Sequence, residues 1–141
     1  FAAANQLAEA SFSVWSFGDN RDMANELAAL VVAGTKRATT SLLRSFESSD
    51  EPLPKPGEFG VVVGGDDRPC CIVRVTEVEV KPMGDVDTRF AWDEGEGDRS
   101  LDWWLSTHTR FFTREGATEG FAVDRSTEVV LVRFEAVWPR K

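Results

Sequence analysis

Apolar residues recur at helical spacing between residues 19 and 34, where Met23, Leu27 and Val31 fall on one face. This period predicts an amphipathic α-helix. The polar pair before Arg21 can cap its start, and Gly34 stands where a helix normally ends. This segment carries the clearest helical pattern in the chain.

A weaker helical pattern precedes it. Residues 3–13 are rich in alanine, and Leu7, Ala10 and Trp15 fall roughly on one face before a break near Phe17. The pattern predicts a second helix. Residues 1–33 are therefore expected to form an N-terminal helical extension packed on the rest of the chain.

Extended structure is predicted after Gly34. The β-branched residues Thr35, Thr39 and Thr40 favour a short strand, and the prolines of residues 52–56 then indicate a surface loop. Two longer strands are predicted next, over Phe59–Val63 and Pro69–Val80, joined by a turn rich in glycine and aspartate.

The Pro69–Val80 strand changes phase along its length. Cys71, Val73 and Val75 alternate as one inward set, and the inward positions then shift to Val78 and Val80. A shift of one place predicts a β-bulge or a strand covered on both faces. Strands that bend in this way are common in small barrels.

Residues 86–112 again have a helical pattern, interrupted by the glycine-rich stretch at residues 94–98. Ser100 can cap the helix that follows, along which Trp104, His108 and Phe111 share a face. Two helical segments separated by a turn are expected here.

The last strand is predicted over Glu128–Trp138, with Val130, Val132 and Phe134 on one face and Arg133 on the other. Ala136 and Trp138 continue the inward face, and Trp138 is assigned to the core with Trp104, Phe112 and Phe134. The fold class is α+β, in one domain spanning residues 1–141.

Composition narrows the class of protein. The chain has 141 residues, 42% of them hydrophobic, with no run of about 18 apolar residues. A globular domain without a membrane span is expected, and because residues 1–10 lack the pattern of a signal peptide the expected location is cytoplasmic. The net charge of -8 argues against binding to long duplexes, which need a basic surface.

The two cysteines are neighbours, Cys70 and Cys71, and His108 is the only histidine. Neither a disulfide framework nor a zinc site can be built from this set. Two free thiols, buried or half-buried, are expected.

Two segments carry candidate chemistry. The first, residues 34–41, places Lys36 and Arg37 among four hydroxyl side chains directly after a helix. It is either a solvated turn with an edge strand or a site for an anion or nucleobase, since lysine supplies a point charge and hydroxyls both donate and accept hydrogen bonds.

The second segment, residues 90–98, has four carboxylates within six positions. It is an exposed acidic loop, a divalent metal site or a general acid or base. The spacing does not match a calcium loop, so no metal and no cofactor are predicted. Crowded carboxylates raise one another's pKa, which suits acid–base catalysis.

Taken together, these motifs resemble the ASCH family. The resemblance rests on four pieces in that family's order: Trp15-Ser16-Phe17-Gly18-Asp19, Gly-x-Lys-x-x-Thr at 34–39, Phe90-Ala91 followed by Glu-Gly-Glu-Gly-Asp, and Trp104-x-x-x-His108-x-x-Phe111-Phe112. It implies a PUA-like fold: a small, mostly antiparallel β-barrel with flanking helices and a cleft associated with RNA or nucleosides.

One group of relatives hydrolyses the acetyl amide of N4-acetylcytidine with a lysine, a threonine and a glutamate. By motif these residues fall on Lys36, Thr39 and Glu94, which the resemblance implies are catalytic. The chain departs from that group in its N-terminal region, its glycine-rich turn and its longer helix around Trp104.

Chemistry suggests how these residues divide the work. A lysine base needs a pKa lowered by several units, which a nearby carboxylate opposes. Glu94 is therefore favoured as proton acceptor and later acid, with Lys36 as the cation that stabilises the oxyanion. The reversed assignment is the alternative, and Thr39 either attacks or orients water.

Further side chains near the motifs are predicted to bind substrate, since aromatic rings stack on bases and polar groups recognise their edges. They are Arg37, Thr40, Ser41, Trp15, Phe17, Trp92, Glu96 and His108.

Three functions remain open at this stage. The favoured one is metal-independent hydrolysis of an acylated nucleobase, with a nucleoside or short single-stranded RNA as partner and no membrane. The others are a noncatalytic module that recognises RNA or a modified nucleotide, and, less favoured, a ribonuclease.

Overall fold

The computed structural model describes residues 12–17 and 20–138. Its strands are β1 (Phe12–Trp15), β2 (Ala38–Leu42), β3 (Phe59–Val63), β4 (Pro69–Pro82) and β5 (Glu128–Trp138). Its helices are α1 (Arg21–Ala33), α2 (Leu43–Ser48), α3 (Thr88–Glu94) and α4 (Leu101–Glu119), with a short 3₁₀ turn at Met83–Asp85.

The five strands form one mixed sheet in the order β1-β3-β4-β5-β2. The β1–β3 pair is parallel, and the other pairs are antiparallel. The sheet curves into a half-barrel with flanking helices, which confirms the predicted α+β class.

The predicted bulge in β4 is present. Pairing with β5 shifts register between Ile72 and Val73 and again between Val75 and Glu77. The inward set of Cys71, Val73 and Val75 is buried as predicted. Of the predicted continuation, Val78 is half-buried against the core, whereas Val80 was wrongly placed inward, because it is 38% exposed. The strand runs past the end of β3, whose pairing stops at Arg74, and loses cover on that side.

Strand β5 lies between β4 and β2 and is covered on both faces over Val129–Val132. The predicted one-sided alternation is therefore wrong in this half. Trp138 is 39% exposed and was wrongly assigned to the core. The last residues of β5 extend beyond β2, whose pairing ends at Arg133, and among the described strands they pair with β4. Trp104, Phe112 and Phe134 are buried as predicted.

Helix α1 matches the sequence pattern closely. The Asn20 side chain accepts a hydrogen bond from the Met23 N–H at the start of the helix, and Gly34 ends it with φ 84°. Leu27 and Val31 are buried against the sheet. A left-handed residue at this position is the usual way to end a helix and turn the chain.

The predicted N-terminal helix lies largely outside the described residues. Where it reaches them, at residues 12 and 13, the structure has strand β1 instead. Trp15 then packs against Gly60, where an added Cβ would lie 2.6 Å from the indole. The parallel pairing with β3 thus depends on a glycine distant in sequence.

Helix α2 was not predicted, while α3 and α4 match the interrupted helical pattern. Asp87 and Ser100 cap them through hydrogen bonds from Phe90 N–H and Trp103 N–H. Cys70 and Cys71 are both free thiols, as expected. Within the described part of the chain, no helix has the length and apolar character to cross a membrane.

Candidate active site

Lys36 is buried at the turn between α1 and β2, with 1% of its side chain exposed. The left-handed Gly34 lets the N–H groups of Thr35 and Lys36 both bond to the Leu30 carbonyl, which turns the lysine inward. The ammonium donates to Ala38 O at 2.8 Å, to Glu94 Oε1 at 3.1 Å and to Glu96 Oε2 at 2.7 Å. All three of its N–H bonds are thus satisfied within the protein.

The turn after α3 brings two glutamates to one ammonium. Gly95 ends the helix with φ 71°, and an added Cβ there would lie 2.4 Å from the Thr35 carbonyl oxygen. The Arg37 N–H also bonds to Asp93 O at 2.7 Å. Glycine at position 95 therefore permits the close approach that joins the two predicted motifs.

Glu94 is fully buried and accepts hydrogen bonds on both oxygens. Oε1 receives Lys36, while Oε2 receives the Thr40 hydroxyl and the Trp104 indole N–H, each at 2.5 Å. His108 Nε2 lies 3.2 Å from the same Oε2. Burial pushes the pKa of Glu94 upward, but Lys36, His108 and these hydrogen bonds outweigh it and hold that pKa well below its usual range.

His108 is held at both ring nitrogens. Its Nδ1 lies 2.9 Å from the Trp104 carbonyl oxygen, which can only accept, so Nδ1 carries a proton. Its Nε2 faces the ionised Glu94, which also needs a donor. Burial lowers the pKa of His108, yet Glu94 outweighs burial and raises it. The arrangement therefore favours the imidazolium.

Glu96 differs from Glu94 in its surroundings. Its side chain is 18% exposed, and Lys36 is the one described donor bound to its carboxylate. Burial and the negative charge of Glu94 raise the pKa of Glu96 against the opposing effect of Lys36. For Lys36 itself, burial lowers the pKa, but Glu94 and Glu96 together raise it, so the amine stays cationic.

Three of these groups, Glu94, Glu96 and His108, face a cavity of about 980 Å³, and Lys36 behind them does not line it. Its walls come from α1, β2 and α4, and Glu94, Glu96 and His108 lie along it with Thr39, Thr40 and Ser41. The volume is at the upper end of the range of about 300–1,000 Å³ typical of small-molecule sites. The cavity has room for a small molecule the size of a nucleoside.

A sequence model of the ASCH domain matches residues 13–138. The chain belongs to the ASCH domain family. No protein of curated function is similar enough to count as a match. The family assignment confirms the resemblance seen in the motifs and covers nearly the whole chain.

Solved structures agree with the assignment. An ASCH domain from Lactobacillus crispatus is 37% identical with a TM-score of 0.85, over 90% of this chain and 80% of that one. A protein from Enterococcus faecalis is 36% identical with a TM-score of 0.88, over 96% of this chain and 82% of that one. This ASCH domain therefore shares both sequence and fold with them.

Of the three predicted catalytic residues, the ASCH domain brings Lys36 and Glu94 into direct contact. Thr39 lines the same cavity, but the hydroxyl bound to Glu94 belongs to its neighbour Thr40. Ser41 also lines the cavity.

The predicted aromatic residues divide between the cavity and other surroundings. Phe17 lines the cavity, and the Lys36 ammonium lies 5.3 Å from the centre of its ring. Trp15 packs edge-on against Phe17 and Phe134. Trp92 is 52% exposed, and the Arg99 guanidinium lies 3.7 Å from its ring centre. These positions bring Phe17 into the site and leave Trp92 on the surface.

Arg37 is turned away from the buried cluster. Its guanidinium donates to Asp93 Oδ1 at 3.1 Å and is half exposed. Arg133 binds the other oxygen of the same carboxylate at 3.2 Å. Arg37 thus helps to fix α3 beside the start of β2, and Arg133 helps to fix it beside β5.

Two residues of the site were missed. Trp104 was assigned to packing alone, although its indole N–H is bonded to Glu94; its spacing of four residues from His108 is the signal that links the two. Thr107 also lines the cavity, and its buried hydroxyl has no hydrogen-bond partner among the described residues. Nothing in the sequence marks that hydroxyl.

Proposed function

We propose that this ASCH domain is a metal-independent hydrolase that removes the acyl group from an acylated nucleobase such as N4-acetylcytidine. The observation that carries the proposal is a buried ammonium held between two carboxylates that line a cavity large enough for a nucleoside. The PUA-like fold of the family, which is often RNA-binding, supports the substrate class.

Lys36 serves as the electrophilic group in this proposal. Amide hydrolysis develops negative charge on the carbonyl oxygen, and a fixed cation next to that oxygen lowers the barrier. Because Glu94 and Glu96 raise the pKa of Lys36, the amine is a poor proton acceptor at neutral pH. Proton transfer then falls to a carboxylate of the cluster, and water is the nucleophile.

The cavity walls suit a nucleobase. Thr39 and Ser41 offer hydroxyls that bond to a base edge, and Phe17 offers an aromatic surface. Base stacking on an aromatic ring contributes about 1–3 kcal/mol. With a net charge of -8, the protein favours a nucleoside or short single strand over a long duplex.

The direct test is product formation. Wild-type protein is incubated with N4-acetylcytidine, and separately with a short single-stranded RNA containing that base, in the presence of a metal chelator. Cytidine and acetate are expected. Lys36→Gln should lower turnover at least about 100-fold, since removing one oxyanion-stabilising group typically costs that much.

Lys55→Gln is the matched control, because Lys55 is an exposed lysine in the loop before β3. It should retain wild-type turnover. Absence of turnover by the wild type across a panel of acylated nucleosides would contradict the proposal.

A noncatalytic binding module is the second candidate. It is favoured by the hydrogen bonds of Lys36, because all three N–H bonds of the ammonium have acceptors within the protein and none is left for an oxyanion. In that case the same panel shows binding by calorimetry with no product at high protein concentration.

A further inference from the structure

We propose that Glu96, rather than Glu94, is the group that transfers the proton in this hydrolysis, and that Glu94 is a positioning residue. The inference rests on the proposed function and specifies its acid–base chemistry. The motif alone favoured Glu94, so the two assignments compete directly.

The hydrogen bonds of Glu94 leave it little capacity for proton transfer. Its Oε1 is taken by Lys36, and its Oε2 by Thr40 and Trp104 with His108 alongside. A proton arriving on Oε2 displaces a donor inside a buried site, and one arriving on Oε1 neutralises the charge that holds Lys36. Donors that stabilise the ionised form also make a carboxylate a weak base.

Glu96 has the access and the freedom that Glu94 lacks. It lines the cavity and is 18% exposed, with a single described donor on its carboxylate. Glycines on both sides of Glu96 have left-handed φ values of 71° and 60°. Its carboxylate therefore reaches the cavity and keeps part of its surface exposed, whereas that of Glu94 is sealed.

The charged groups around Glu96 shift the pKa values of Glu94 and Glu96 in opposite directions. Lys36 and Glu94 are the nearest charged groups, and His108 faces them from α4. Four more charged residues line the cavity further away: Glu26 of α1 and Arg110, Arg114 and Glu115 of α4. The pKa of Glu96 is raised while that of Glu94 is lowered. Such divergence marks Glu96 as the member of the pair that takes up a proton more readily.

The reaction balances with Glu96 in this role. Water attacks the acyl carbon and gives one proton to Glu96, and Lys36 stabilises the oxyanion. A protonated Glu96 holds the ammonium less strongly, which frees a Lys36 N–H when the oxyanion forms. The carbon–nitrogen bond then breaks, and Glu96 returns its proton to the departing amino nitrogen, giving the acid and the free base.

Glu96→Gln and Glu94→Gln form the decisive pair, assayed on N4-acetylcytidine with full pH profiles. Glu96→Gln should lose about 10²–10⁴-fold in kcat with little change in KM, the usual effect of removing a proton-transfer group. Its melting temperature should be no lower than that of the wild type, and Glu96→Asp should recover part of the rate.

Glu94→Gln gives a different signature. Since the negative charge of Glu94 raises the pKa of Glu96, its removal should move the acidic limb of the kcat/KM profile to lower pH. Loss of that limb in Glu94→Gln together with near wild-type turnover in Glu96→Gln would overturn the inference.

A measurement on the wild type needs no variant to fold. Carbon-13 NMR of the glutamate carboxyl groups should show Glu96 titrating at higher pH than Glu94. The reversed order in an active protein contradicts the Glu96 assignment alone. Absence of turnover in the wild type contradicts the proposed function, and the catalytic role of Glu96 with it.

Discussion

The Thr107 hydroxyl is buried in the cavity wall without a partner among the described residues. An unsatisfied buried polar group costs about 1–3 kcal/mol. Thr107→Val keeps the shape and removes that group, so we expect unchanged or higher stability. Urea unfolding of the variant and the wild type measures this difference.

Thr40→Val is the matched control for that variant. It removes the same hydroxyl from a residue whose donor is bound to Glu94 at 2.5 Å, so stability should fall. A Thr107→Val protein that is less stable than the wild type would contradict the expectation that this hydroxyl is unsatisfied in the folded protein.

For single residues, the sequence predicted which charged side chains form the site better than it predicted their hydrogen-bond partners. The lysine and glutamate were found because charge inside a motif is visible in the sequence. That Thr40 rather than Thr39 binds Glu94 depends on which face of β2 each side chain occupies. The role of Trp104 as a donor depends on the register of α4 against α3, which no local pattern encodes.

Among the elements, the turn between α3 and α4 controls the site most directly. Gly95 has φ 71°, and a Cβ there would collide with the Thr35 carbonyl. Gly95→Ala should therefore lower stability and move Glu94 and Glu96 away from Lys36. Chemical denaturation and turnover measure the two effects.

Gly120→Ala is the control that distinguishes the collision with Thr35 from the backbone strain of a left-handed alanine. Gly120 ends α4 with φ 85°, and a Cβ there meets nothing within 4 Å. Both substitutions incur the cost of a left-handed alanine, roughly 1 kcal/mol. Equal losses of stability in the two variants would show that the collision with Thr35 is relieved.

The elements that were predicted correctly carry local signals. α1 has a cap, a regular apolar face and a terminal glycine, and β3 has a compact apolar run between turn residues. β1 and α2 depend on distant neighbours instead. β1 is extended through pairing with β3, and α2 is a helix of six residues without a side-chain cap.

At the scale of the whole molecule, the buried charges should shape stability as a function of pH. Glu94 has a lowered pKa, so its contribution is present above its ordinary value of 4.5 and is lost as the pH falls through the folded value. Lys36 has a raised pKa, so its contribution is present below 10.5 and is lost as the pH rises through the folded value.

Glu94→Gln should therefore cost the most near neutral pH, about 3–5 kcal/mol for breaking a buried pair. The difference from the wild type should shrink below pH 4.5. The contribution of ionised Glu96 to stability has the opposite sign, because its raised pKa makes ionisation in the folded state unfavourable. Glu96→Gln should gain stability relative to the wild type as the pH rises.

Urea unfolding of all three proteins across the acidic and neutral range measures these differences. A penalty for Glu94→Gln that does not change with pH would show that the carboxylate acts there through its shape and not its charge.

The sealed position of Lys36 also has a consequence for the chemical reactivity of the chain. The sequence has four lysines, and amine-reactive reagents need an accessible, unprotonated nitrogen. Lys36 is 1% exposed and held as a cation, whereas Lys55 is on the surface. Acylation of Lys36 therefore requires local opening of the cluster. The rate of acylation of Lys36 relative to that of Lys55 measures how often this opening occurs.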